Sequence, residues 1–327
     1  DVVNRVRRIT GQLRIGHTGT LDPAATGVLV LCLGLATRLA EYVTEARKVY
    51  RASVRLGTRT STWDSEGDVV AKVDATHITL PEVESALAAF VGAIQQVPPM
   101  YSAVKRQGQP LYKLARRGLD VERQPRAVTV YELTVEDWRS PELVLRVSCS
   151  KGTYIRALAH DLGVALGVGA HLAALRRLAV GAFTVERAVS LDTLAAEADA
   201  RAWEQYLQPS RDAVAHLPSV TVDEANVARL RLGQAVTLDA VPQLGLHCAY
   251  RSDGELVADL GLRPALASGV ELLRTASTIH LVGGGYVNDQ WPHHLGVVAG
   301  AAEAGRLAGA RVVATGQGFT PCAELGL

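Results

Sequence analysis

Val2, Val3, Val6, Ile9 and Leu13 recur at helical spacing, and Asp1 stands where an N-cap belongs. Residues 29–33 form a short apolar run that reads as a buried strand, and residues 36–44 read as a helix. Over residues 50–56 apolar and polar positions alternate, the period of a half-buried strand. Pro81 opens a helix that reaches Phe90 and Val91, since proline fits a first helical turn. Residues 128–135 and 143–148 are further strands, and residues 154–166 form an amphipathic helix stopped by Gly167 and Gly169. This mixed order predicts an α+β domain on a mixed, largely antiparallel sheet flanked by helices, and not a repeating βαβ unit.

The pattern changes near Pro209 and Pro218. Short strands at 220–222, 247–250 and 255–260, with a helix at 225–232, predict a small β-rich module. Beyond it, residues 279–285 read as a strand entering a glycine-rich turn, followed by an Ala-rich helix and a second strand within residues 309–318. Those pieces predict one βαβ unit, too little for a nucleotide site of its own. The length of 327 residues allows two or three domains.

The densest chemistry lies between the first two apolar segments, in Gly16-His17-Thr18-Gly19-Thr20-Leu21-Asp22-Pro23-Ala24-Ala25-Thr26-Gly27. Glycine lets backbone approach a ligand closely, and Pro23 biases Asp22 toward an extended conformation. Such a loop presents His17 and Asp22, where a plain turn needs only one glycine and one proline or asparagine.

The loop resembles the catalytic motif of TruB-type tRNA pseudouridine-55 synthases. Later blocks follow in the same order: Leu33-Gly34-x-Ala36-Thr37-Arg38, Lys48-x-Tyr50, Thr60-x-Thr62-x-Asp64-x-Glu66-Gly67 and Gln96-Val97-Pro98-Pro99-x-Tyr101-Ser102-Ala103-Val104-Lys105. Next come Cys149-x-x-Gly152-Thr153-Tyr154-Ile155-Arg156 and Gly169-Ala170-His171-x-x-x-Leu175-Arg176-Arg177. Several blocks in register over residues 1 to about 210 are specific where any one is weak. The resemblance implies the pseudouridine synthase fold over 1–210 and a PUA-like RNA-binding domain over 215–272, opening at Leu230-x-x-Gly233-Gln234. It also implies a chain that starts inside the family's first block, without the leading strand. Residues 273–327 fall outside the family and resemble a fragment of a polysaccharide pyruvyl transferase-like module.

The implied reaction isomerises uridine 55 in the TΨC arm of tRNA on a flipped-out nucleotide, without cofactor or metal. Asp22 matches the family's essential aspartate, and Arg156 the arginine that pairs with it through two parallel hydrogen bonds. Tyr50 matches the tyrosine that stacks on the flipped base and assists the final proton removal. Leu175 corresponds to a pocket wall, His17 to the imidazole that helps flip the target or fills the space left behind, and Thr20 and Tyr154 lie in the same substrate-binding motifs. Lys48, Arg38, Lys105 and Arg176 are expected phosphate contacts.

Charge agrees with an RNA partner. Residues 1–60 hold ten Arg or Lys against four acids, and residues 100–126 hold seven against two, although the whole chain is only +1. Four scattered cysteines, without a paired-ligand spacing, predict reduced structural thiols rather than a zinc ribbon. With no apolar run long enough to span a bilayer, the expectation is a cytoplasmic monomer without a membrane partner. A non-catalytic tRNA-binding or folding chaperone is the alternative, since basic clusters serve it equally well. A phosphotransferase is disfavoured: its aspartate belongs before Thr18-Gly19-Thr20, where His17 stands.

Overall fold

A computed structural model describes residues 2–106, 108–197, 202–232, 234, 236, 245–254, 256–262, 278–282 and 311–315. The chain divides into two units, Asp1–His216 and Leu217–Leu327. In the first, α1 (Val2–Thr10) precedes β1 (Ile15–His17), the two-residue β2 (Thr26–Gly27) and β3 (Leu31–Leu33), with β1 and β3 paired antiparallel. A 3-10 turn at Gly34–Leu39 and α2 (Ala40–Glu45) lead into β4 (Lys48–Leu56), then the pair β5 (Thr58–Thr60) and β6 (Val69–Lys72). After α3 (Leu80–Ala88) and β7 (Gly92–Gln96) comes a small hairpin, β8 (Lys105–Arg106) and β9 (Gln109–Pro110), capped by α4 (Leu111–Ala115). The unit continues through β10 (Arg126–Arg139), β11 (Glu142–Cys149), α5 (Ile155–Ala165), β12 (Ala170–Val180), β13 (Phe183–Thr184) and α6 (Leu191–Ala196).

Among the described residues seven strands make the main sheet, ordered β13-β12-β4-β11-β10-β7, with β2 added parallel to β12. The ladders along the main path are antiparallel. The mixed, largely antiparallel sheet with flanking helices agrees with the α+β class expected from the sequence.

Alternation explains where the core lies. On β4, Ala52, Val54 and Leu56 are buried, while Arg51 and Arg55 face outward to Glu136 and Glu142. Leu143, Leu145 and Val147 of β11 share the inner face, and Leu158 and Leu162 of α5 with Val83 and Leu87 of α3 cover it. Close approach of α5 to β12 requires Gly163, because a Cβ there would sit 2.1 Å from Ala170 N.

Some elements differ from expectation. α1 stops at Thr10, where Gly11 takes φ +68°, so Leu13 lies outside it and is exposed. The segment after Leu33 begins as a 3-10 turn, since Leu33 offers no capping side chain, and becomes α-helical only at Ala40. α3 is fixed by a capping box between Thr79 and Glu82 around Pro81, and ends before Phe90. β7 and β12 were not expected as strands at all.

The second unit contains β14 (Ser219–Val222), α7 (Glu224–Arg231), β15 (Gly245–Arg251) and β16 (Leu256–Leu262), with β14 parallel and β16 antiparallel to β15. Asp223 caps α7 by accepting from Asn226 N at 2.8 Å. β17 (Thr278–Val282) and β18 (Arg311–Thr315) pair in parallel, as the two strands of a βαβ unit would. The glycine-rich turn and Ala-rich helix expected between them, the Asp1 cap, Gly233 and Cys322 lie outside the described residues. Among the described residues no helix is long and apolar enough to cross a membrane.

Candidate active site

The loop between β1 and β3 is fastened at both ends. Thr18 N donates to Val30 O at 3.2 Å, Ala25 N to Asp22 O at 2.9 Å, and Val28 N to Arg177 O at 2.9 Å. Gly27, at φ +99°, lies so close to β12 that a Cβ would stand 2.1 Å from Arg177 O. Asp22 therefore projects from a loop held against the main sheet, its side chain 39% exposed.

Facing it is Arg156, in the first turn of α5, with a side chain only 5% exposed. Its Nη2 donates to Asp22 Oδ1 at 3.0 Å, and its Nε lies 2.9 Å from Asp22 Oδ2 as an ion-pair contact without hydrogen-bond geometry. The rest of the guanidinium is anchored elsewhere. Nη2 also donates to Tyr101 O at 2.8 Å, Nη1 donates to Thr62 O at 3.3 Å, and Nη1 lies 3.2 Å from Asp64 Oδ2. Asp64 is itself held, accepting from Thr62 Oγ1 and from Glu66 N at 3.1 Å. One buried cation thus bridges two carboxylates, and its position is set by α5, the 60–67 turn and the segment before β8.

The start of α5 is set by Gln96, at the end of β7 and 2% exposed. Its amide donates to Tyr154 O at 3.0 Å and accepts from Tyr154 N at 2.7 Å, as a neighbouring strand would. The 60–67 turn is braced by Trp63, which takes φ +65° and stacks on His160 of α5, centroids 4.2 Å apart. Burial, with Arg59 and Arg123 nearby, pushes the His160 pKa down.

Tyr50, on β4 beside these groups, packs against the main core, and burial pushes its phenol pKa up. The positive charge of the nearby Arg177 works against that shift. Leu175 of β12 lines a small cleft of about 20 Å³ with Asp22, Asp64, Arg156, Ala24 and Leu172. His17, Thr20 and Asp22 also border a larger groove of about 1340 Å³ whose other walls, Val2, Val6, Leu39 and Phe183 among them, are mostly apolar. His17 is exposed, and its Nδ1 accepts from Gly19 N at 3.4 Å.

The structure gathers Asp22, Arg156, Tyr50, Leu175, His17 and Thr20 around one loop, with the Tyr154 backbone positioning Arg156. Arg38, Lys105 and Arg176 are exposed. Lys48 corrects its expected role. It is 6% exposed, its Nζ donates to Ala46 O at 2.7 Å and to Thr44 O, and burial lowers its pKa to about 8. An ammonium closing the end of α2 from inside is not presented to a phosphate.

Comparison with known proteins decides the family. Residues 7–155 match the TruB family pseudouridylate synthase (N terminal domain), and residues 156–215 match the tRNA pseudouridylate synthase B C-terminal domain. The chain belongs to the TruB family of pseudouridylate synthases. TruB-family enzymes are isomerases, and this chain is one. It is 44% identical over 259 residues to tRNA pseudouridine synthase B of Dehalococcoides mccartyi, covering 79% of this chain and 86% of that protein. It is 41% identical over 273 residues to the Coxiella burnetii protein of the same name, covering 81% and 88%. Among solved structures it resembles a chain in the crystal structure of a Cbf5-Nop10-Gar1 complex, with TM-score 0.61 and 30% identity over 79% of this chain and 72% of that one. Asp64, Gln96 and Arg177 sit in the TruB-like blocks of the sequence, yet their places in this site emerge only from the geometry.

Proposed function

We propose that this TruB-family chain converts uridine 55 in the T-arm of tRNA to pseudouridine, with Asp22 as the catalytic carboxylate. The observation carrying the reading is the two-point contact between Asp22 and the buried Arg156 at a glycine-bounded loop. The isomerisation breaks the bond from uracil N1 to the ribose, turns the ring, and joins C5 to the same carbon. C5 loses its proton and N1 gains one, so atoms balance without cofactor or redox change. Asp22 serves by attacking the sugar, adding to the base or removing a sugar proton, with the Arg156 guanidinium holding the carboxylate in place.

Tyr50 stacks on the extruded base, an interaction worth about 1–3 kcal/mol against an unstacking cost of a few kcal/mol. Its hydroxyl assists removal of the C5 proton. Leu175 forms the pocket wall and His17 and Thr20 meet the displaced strand. Phosphates are met by the exposed Arg38, Lys105 and Arg176, with the basic β8–β9 segment and α4 tracking the backbone. We read residues 1–210 as the catalytic domain and 215–272 as a PUA-like RNA-binding domain, in an enzyme that acts as a monomer.

The test is tritium release from T-arm RNA carrying 5-tritiated uridine. Release by the wild type and none by Asp22→Asn supports the reading. Tight, salt-sensitive RNA binding without release favours the chaperone alternative instead.

A further inference from the structure

Arg177 is 3% exposed and makes no ion pair with a carboxylate among the described residues, which is unusual for so buried a cation. Its guanidinium is satisfied by main-chain oxygens of the Asp22 loop. Nε donates to Val28 O at 2.7 Å, Nη2 to Gly19 O at 3.1 Å and Nη1 to Thr20 O at 3.4 Å. Arg177 is also the cross-strand partner of Tyr50 in the β12–β4 ladder, which puts the two side chains side by side on one face of the sheet. Its own backbone holds Val28 N, and Gly27 leaves room for that contact.

We propose that Arg177 is the positioning residue that locks the Asp22 loop onto the sheet and fixes the Tyr50 side chain relative to it. The proposal rests on the reading of Asp22 and Tyr50 as catalytic groups. Three carbonyls on both sides of Asp22 converge on one planar fork, so the loop cannot swing without breaking several charge-assisted bonds together. Lysine has one ammonium on a flexible stem and cannot reach all of these acceptors at once. Arg156 and Arg177 thereby divide the work: one contacts the carboxylate, while the other fixes the backbone that carries it and the phenol beside it. The neighbouring Arg176 faces outward on the strand and has no part in this.

The experiment compares wild type, Arg177→Lys, Tyr50→Phe, the double variant and Asp22→Asn, reading single-turnover tritium release and T-arm RNA affinity. Arg177→Lys is expected to slow turnover about 10²-fold, the scale of an ångström-sized misplacement, with RNA affinity within about twofold of wild type. In the Tyr50→Phe background the same substitution should cost several-fold less, because the two residues act as a unit. A merely structural role would give equal losses in both backgrounds, and that result overturns the proposal. So does wild-type turnover in Arg177→Lys. Should Asp22→Asn and Tyr50→Phe keep full activity, the catalytic reading itself fails and takes the proposal with it. If Arg177→Lys does not fold, amide exchange on the wild type decides: residues 19–28 should exchange as slowly as β12, and open-loop exchange refutes the lock.

Discussion

Replacing Asp64 with asparagine removes one of the two negative charges that flank Arg156 and leaves the shape almost unchanged. The oxygen that accepts from Thr62 Oγ1 and Glu66 N survives, but an amide NH₂ then points at Arg156 Nη1, donor against donor. Turning the amide over moves the clash to Thr62 and Glu66. At an effective dielectric of about 20, unit charges 3.2 Å apart attract by roughly 5 kcal/mol. Relief of the carboxylate's desolvation cancels part of this, since Asp64 is only 12% exposed. Asp22 remains as a second counter-charge, so the arginine is not orphaned. A net loss of about 2–3 kcal/mol follows, the range for a hydrogen bond to a charged group. Urea unfolding followed by circular dichroism reads that loss. Because Arg156 loses the anchor opposite Asp22, single-turnover tritium release should also fall about 10–100-fold. An Asp64→Asn protein as stable as wild type, with undiminished turnover, would refute the claim that Asp64 holds Arg156 in place.

Three further outcomes follow from the geometry. Gly27→Ala places a Cβ 2.1 Å from Arg177 O at φ +99°, so the Asp22 loop must lift; turnover should drop at least about 10²-fold while the RNA still binds, and an alanine variant with normal release contradicts the loop seating. Lys48 has its pKa lowered by burial to about 8 from 10.5, so between those values the unfolded chain holds a proton that the folded one has released. Stability relative to Lys48→Met should therefore rise with pH across that window, by about 2 kcal/mol between pH 8 and 9.5, measured by urea unfolding at each pH; a flat difference would mean that Lys48 is not buried as a cation. Cys149, pushed up to about 11 by burial, titrates in the opposite sense but is common to both proteins. Lys105→Ala should reduce the slope of log affinity against log salt by about one, read by filter binding from low to moderate salt, and an unchanged slope removes it from the phosphate contacts.

The sequence already contained the rule that sorts the basic residues correctly. Alternation on β4 puts Lys48, Tyr50, Ala52, Val54 and Leu56 on one face, so a lysine in phase with a buried alanine and valine is directed inward. The alternation was legible from Tyr50 onward; extended two residues back, it excludes Lys48 as a phosphate contact. β12 teaches the same lesson more sharply. Leu175 and Arg177 share a face and Arg176 opposes them, with exposure running intermediate, exposed, buried across the three. A leucine assigned to the pocket wall therefore brings Arg177 with it. That inference needs the segment to be a strand, and an Ala-rich stretch after two glycines carries little β signal of its own. β12 extends because β4 offers it a partner from Ala170 to Val180, a tertiary fact without a local signature. Asp64 was out of reach for a different reason. The Thr-x-Thr-x-Asp block reads as an ordinary polar turn, in which an aspartate bonding nearby donors is the common outcome. Only the approach of α5, 92 residues further along, turns its second oxygen into a counter-charge for Arg156. Groups whose function depends on facing a partner distant in the chain are visible as chemistry in the sequence and become a mechanism only in three dimensions.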